Sequence, residues 1–193
     1  KAADIGIAKF IAHPSSEPKA EDEKREEEIK RSMQSLSDLA ETADKNGAVI
    51  CVEDLPRSCL CNTADEMLRI ISADSRLRIC FDTNHLLKDT NANFIKKCAD
   101  KIATIHVSDY DFVNERHWLC GEGKLDWQAV YKELINSGYN GVWMYEVGLY
   151  TPKTIIRDRN LEFGDFVRNA KEIFNNRPLT VIGKPKENLG MWE

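Results

Sequence analysis

Five short apolar runs in this sequence end in side chains able to bind a metal ion or move a proton: His13, Glu53, Asp82 with His85 three residues on, His106 with Asp109, and Glu146. Residues two apart on a strand share a face. Cys51 therefore pairs with Glu53, Cys80 with Asp82, Thr104 with His106 and Met144 with Glu146, and four successive strands offer Glu, Asp, His and Glu at the same topological position. Carboxylates gathered around one point repel each other and resist desolvation. A divalent cation offsets both effects. Three carboxylates and one neutral imidazole suit Mn²⁺, Mg²⁺, Co²⁺ or Zn²⁺, with the oxygen-rich set leaning to the harder ions. One polar strand end would need no such account, since strands emerge into loops; four of this chemistry in consecutive units point to a metal site.

The elements that must position these groups alternate along the chain. Lys9–Ala12 is a short strand candidate ending in His13-Pro14. A charge-dense stretch from Lys19 to Arg31 leads into Ile29, Met33, Leu36, Leu39, Ala40 and Ala43 at helical spacing; Glu21, Asp22 and Glu23 suit the helix dipole and Gly47 supplies a stop. Strands are expected at Ala48–Glu53, Leu77–Asp82, Ala103–Val107 and Gly141–Val147. Between them, Thr63 to Glu66 has the form of a capping box, Phe94, Ile95 and Cys98 mark a brief helix, and Asp126 caps a helix closed by Gly138. Phe166 to Phe174 forms a last helix, and Pro178–Glu193 carries little pattern. Strands separated by helices run parallel. The fold class is therefore α/β, a parallel (β/α) barrel type in one domain over residues 1–193, with 178–193 irregular. A closed eight-unit barrel needs about 250 residues; five units fit here, so an incomplete barrel is expected, about three units short. In such a barrel the C-terminal strand ends share one mouth, where active sites sit.

Composition narrows the classes. With 193 residues, 42% hydrophobic and 31% charged, the chain suits one globular domain rather than a disordered segment. No run approaches the roughly 18–20 apolar residues of a membrane span. A net charge of −5 argues against a nucleic-acid partner, whose phosphates call for a basic face. No phosphate-binding glycine motif follows any strand. The six cysteines lie in apolar or helical stretches without the spacing of a disulfide framework, and Cys59-Leu60-Cys61 is too short for a zinc motif. Reduced packing cysteines and a cytoplasmic protein are expected. The chain opens on Lys1 with strand-like sequence close behind, so no signal peptide is expected.

The segments VICVEDLP, CFDTNHLL, IHVSDYDFVNERHW, GEGKLDW and VWMYEV resemble, in order, motifs of the xylose-isomerase-like superfamily, close to its sugar (phosphate) isomerase/epimerase branch. The resemblance runs from about residue 11 through Glu146 and the following helix. It implies one divalent metal held by Glu53, Asp82, His106 and Glu146, with Glu53 and Glu146 also exchanging protons with a small sugar on opposite sides. His85 matches a position near substrate or metal; the plain alternative is a loop imidazole bonded to backbone. The loop from Asp109 to Gly123 would cover the mouth, with Arg116 on a substrate hydroxyl or phosphate, or simply exposed, and Trp118 walling off the sugar.

Two other readings stand beside this one. The related endonuclease IV enzymes carry Asp-x-His as zinc ligands where this chain has Glu115-Arg116-His117, a departure that weakens a zinc-dependent DNA-repair nuclease. In those enzymes a metal ligand also stands where His13 ends the first strand; here His13 is a ligand, a substrate contact, or merely the residue before Pro14. The third reading is a truncated, non-catalytic barrel fragment. Its exposed sheet edges would call for an upstream segment, a partner chain or a homo-oligomer.

Overall fold

The computed structural model describes residues 2–17 and 23–191. The strands β1 (Lys9–Ala12), β2 (Val49–Glu53), β3 (Arg78–Asp82), β4 (Ile102–Val107) and β5 (Trp143–Tyr145) form one parallel sheet in sequential order. The connecting helices are α1 (Glu23–Asp44), α2 (Ala64–Ile71), α3 (Asn91–Cys98) and α4 (Trp127–Asn136). Ile50 and Val52, Ile79 and Phe81, Ile105 and Val107 point outward onto these helices. There they meet Leu36, Met67, Ile70, Phe94, Val130 and Leu134, with the Phe81 and Phe94 rings stacked at 5.2 Å. The alternate residues face the concave side, which is where the chemistry-bearing side chains lie. Among the described residues β1 and β5 each pair on one side only, and Ile11 and Met144 stand 40% and 46% exposed on the concave face.

Local signals account for the helix ends. Gly47 and Gly138 adopt φ of +67° and +87°, conformations in which a Cβ is strained, and stop α1 and α4. The Thr63 and Asp126 side chains accept from the amides of Glu66 and Ala129. The expected capping box at Thr63 is only half formed. Glu66 turns instead to the Arg25 guanidinium of α1, at 2.7 Å, and to the amide of Cys61, binding α1 to the loop before α2. Glu21 and Asp22 lie outside the described residues.

The C-terminal part departs from expectation. Residues 155–157 form β6 (Ile155–Arg157), α5 follows (Phe163–Phe174), and the stretch expected to be irregular contains β7 (Gly183–Pro185), antiparallel to β6. Beyond β7, the carbonyl of Gly190 accepts from Arg116 Nη2 at 2.7 Å, and that of Met191 accepts from Asn114. The last described residues are thus tied to the loop between β4 and α4.

That loop is organised by Asp109. Its Oδ2 accepts from Gly121 N and Trp127 Nε1, both at 2.8 Å, and its Oδ1 from the amides of Tyr110 and Leu125. A backbone bridge joins Asp109 to Trp118. Gly123 must be glycine, because a Cβ there would collide with Asp109 Oδ1 and the Tyr110 carbonyl. Asp109→Ala strands the buried Trp127 indole and the part-buried amides of Gly121 and Leu125 besides its neighbour's amide, and is expected to destabilise the fold by about 3 kcal/mol. The urea unfolding midpoint measures this; a change below about 1 kcal/mol would mean the loop reorganises without it.

Candidate metal centre

The concave strand ends converge. One ligand atom each from Glu53, Asp82, His106 and Glu146 lies within 4.8 Å of the others. Their registers are not level, however. Glu53 lies opposite Cys80, Asp82 opposite His106, and His106 opposite Met144, so Glu53 sits one step below and Glu146 one step above the middle pair. This is the stagger of a barrel sheet. The two long glutamate side chains span it, whereas the residues on the level of the middle pair carry the short aspartate and the imidazole. Glu146 continues the ladder past β5, its amide on the Val107 carbonyl.

His106 Nδ1 is 2.7 Å from Glu53 Oε1, 3.0 Å from Glu146 Oε2 and 3.9 Å from Asp82 Oδ2. Contacts with Cys80, Glu146 and Glu53, in that order, raise the His106 pKa far above the ordinary histidine value. Burial pulls the Glu146 carboxyl upward, but His106 and Asp82 outweigh it and hold it at about 2. Asp82 is wholly buried. Its Oδ1 accepts from the Asn84 amide, its Oδ2 has no hydrogen-bond partner, and burial pushes its carboxyl well up. A buried, unpartnered carboxylate oxygen aimed at two further carboxylates and an imidazole fits a divalent cation.

The surrounding groups extend the cluster. His13 Nε2 lies 2.9 Å from Glu53 Oε2, at the rim rather than among the four converging groups. His85 Nδ1 faces the Asp54 carbonyl at 2.8 Å, so the ring presents Nε2 to Glu115 Oε2 at 3.2 Å and to Asp82 Oδ2 at 3.8 Å. Burial works against the charged His85 ring, but Asp82, Glu115 and Asp54 raise its pKa to about 10. The backbone partner expected of a loop imidazole is present together with the proximity to Asp82.

Arg116 and Trp118 stand apart from the mouth. The Arg116 guanidinium is buried against Asp111 Oδ2, at 2.9 Å, and the Gly190 carbonyl. Trp118 is buried with its Nε1 on Thr154 Oγ1, and it borders a different cleft beside Glu122 and Pro185. Both were expected to contact substrate; the structure shows them as parts of the loop framework. Their side chains are anchored by the tail and the β6 region, which local pattern does not reveal.

Four further residues take part that were not expected at the site. Glu115 forms a second cluster with His85 and His117, ligand atoms within 4.8 Å. Asp54 Oδ1 accepts from the Asp82 amide at 2.7 Å, and burial pushes its carboxyl to about 8. Cys80 packs on Glu53 and His106; burial lifts its thiol to about 12, so it remains a thiol near neutral pH. Arg57, at φ +53°, holds both oxygens of Glu17 at 2.6 Å, Glu115 Oε1 at 2.8 Å and Asn114 Oδ1 at 2.5 Å.

The mouth is a cavity of about 330 Å³ lined by His13, Glu17, Glu53, Arg57, His85, Glu115, His117 and Glu146, among others. A larger cleft of about 550 Å³ runs along α5 and gathers no comparable set of groups. All six cysteines are free and buried. Among the described residues no helix is long and apolar enough to cross a membrane.

Comparison with known proteins gives a consistent fold. A family model described as xylose isomerase-like TIM barrel matches residues 2–163. A fructoselysine 3-epimerase of Escherichia coli O157:H7 is 26% identical over 147 residues, covering 68% of this chain and 53% of that protein. A crystal structure of a D-tagatose 3-epimerase-like protein superposes with a TM-score of 0.72 at 25% identity, over 91% of this chain and 63% of that one. A D-allulose 3-epimerase from Methylomonas sp. superposes with a TM-score of 0.68 at 19% identity, over 92% and 65%, a likeness of fold alone. The chain spans about half the length of the curated relatives it matches.

Proposed function

Because this chain belongs to the xylose isomerase-like TIM-barrel family, we propose that it is the metal- and proton-handling part of a divalent-metal-dependent sugar isomerase or epimerase. The observation that carries this reading is the convergence of Glu53 and Glu146, from strands β2 and β5, on one donor set with Asp82 and His106. Those four residues would hold one Mn²⁺, Mg²⁺, Co²⁺ or Zn²⁺. When bound, the ion supplies Lewis-acid polarisation of a sugar carbonyl, which makes the neighbouring C–H acidic.

The chain's own residues then move the proton. Glu146 lines the cavity with its side chain 45% exposed, within reach of a bound sugar, and is the base that takes the proton from carbon. Glu53 is 3% exposed beneath the mouth, with His13 and His106 on its two oxygens, and is suited to exchanging a proton from the other side. Return to the neighbouring carbon gives aldose–ketose isomerisation, whereas return to the opposite face gives epimerisation. The relatives described as 3-epimerases favour the latter, at C3 of a ketose or ketose derivative. His85 and His117 are placed to orient hydroxyls.

The test is solvent-deuterium incorporation into ketoses by the Mn²⁺-loaded protein. Uptake at one carbon, abolished by chelator and restored by Mn²⁺, is expected; absence of exchange with every ketose and ketose derivative tried would refute the reading.

A second reading draws on the His85–Glu115–His117 cluster, which offers another cation site. It is a zinc-dependent phosphodiester nuclease, and the net charge of −5 works against its polyanionic substrate. Elemental analysis separates the two: about one ion per chain for the isomerase, two or more zincs for the nuclease.

A further inference from the structure

Charge on the concave face is segregated along the strands. At the N-terminal ends, Lys9 reaches the Ala103 carbonyl at 2.7 Å and Arg78 the carbonyls of Ser75 and Leu77. At the C-terminal ends the carboxylates gather. Among the described residues lining the mouth cavity Arg57 is the sole lysine or arginine, and its guanidinium is occupied by the Glu17 fork, Glu115 and Asn114. Glu17, Glu53, Asp82, Glu115 and Glu146 set five carboxylates against one guanidinium. Even with one divalent cation and a charged His85 ring set beside that guanidinium, the five carboxylates leave the described mouth net negative, so that a phosphate dianion is repelled and an ammonium is drawn.

The rim sharpens the argument. Glu17, Arg57 and Glu115 come from three different strand-to-helix loops and meet on the lining of the mouth cavity. An arginine at such a position would ordinarily be a phosphate ligand. Here both Glu17 oxygens take it in a fork, and each of the two carboxylates on it remains about a quarter exposed.

Resting on the sugar-enzyme reading above, we infer that this mouth takes a cationic sugar derivative, one bearing an ammonium group, and discriminates against phosphorylated or otherwise anionic sugars. Arg57 is a bridge between loops, and Glu17 is the residue that withholds it from an anion. Glu17 and Glu115 face the ammonium substituent, while the ketose portion lies against the four-residue cluster.

Calorimetric titration of the Mn²⁺-loaded protein with D-fructose, D-fructose 6-phosphate and 1-amino-1-deoxy-D-fructose tests this without relying on turnover. The amino sugar is expected to bind about tenfold more tightly than fructose, and the phosphate about tenfold more weakly, both differences shrinking as salt rises. Glu17→Gln, which releases Arg57 and removes one charge, is expected to improve phosphate binding severalfold, and Glu17→Asp to restore most of the discrimination. Phosphate binding as tight as or tighter than fructose would overturn the inference, as would an amino sugar that gains nothing. Fructose binding without either charge effect would overturn this inference alone. No binding of any of the three would remove the sugar reading and this inference with it.

Discussion

Glu146→Gln is expected to lower turnover by about a thousandfold or more, while moving folding stability by no more than about 1 kcal/mol. The amide keeps the shape of the side chain and can still face His106 through its oxygen, 3.0 Å away in the present arrangement. It has no carboxylate to accept a proton from carbon. The small stability effect follows from the half-exposed position of Glu146, where the ion pair with His106 is screened. Loss of a ligand also weakens the metal site, so turnover must be compared at saturating Mn²⁺ with metal content measured alongside. A thousandfold loss at full metal occupancy assigns the base to Glu146. Turnover within tenfold of the parent would take it out of the proton-transfer step and leave it a ligand only.

The β/α order was legible because each buried strand is a short apolar run and each helix is amphipathic, signals that need no tertiary information. The convergence of the four strand-end groups was legible for a similar reason. Glu53, Asp82, His106 and Glu146 end their runs two residues after Cys51, Cys80, Thr104 and Met144, and period-two alternation sends them to one face. Their stagger was not, because relative register is set by the tilt of neighbouring strands in a curved sheet and not by either strand's own pattern. Asp109 shows the same limit in another form. A polar residue at a strand end reads alike whether it faces the mouth or, as here, collects the amides of its own loop and the Trp127 indole. The packing of Arg116 and Trp118 was not legible because their anchors, Gly190 and Thr154, are distant in sequence. The three-residue strands β6 and β7 are too short to show alternation, and each is defined only by the other. Arg57 combines these difficulties, with a backbone conformation unusual for arginine and partners contributed by two other loops.

Asp82→Asn is expected to weaken metal binding by about a hundredfold or more, and to leave the metal-free protein as stable as the parent or more so, by about 1 kcal/mol. The two effects have opposite sign because the same atom causes both. Asp82 Oδ2 is buried without a hydrogen-bond partner, which disfavours the carboxylate unless a cation completes the site. The pH dependence follows from the same groups. In the metal-free fold the Asp82 and His85 pKa values both lie above those of the unfolded chain, His85 at about 10 against an ordinary value of 6.5. A raised pKa means the folded state holds the proton more tightly. Its stabilisation is complete below the unfolded pKa and is lost as pH rises through the folded one. The metal-free protein should therefore lose stability as pH climbs from about 6.5 towards 10. Metal binding runs the other way, since a cation must displace the protons from the donor set and gains affinity as they leave. The fall in Tm produced by chelator should consequently widen from pH 6 to pH 9 in the parent and nearly vanish in Asp82→Asn. A chelator effect of constant size across that range would mean that the four strand-end groups do not bind protons and metal in competition.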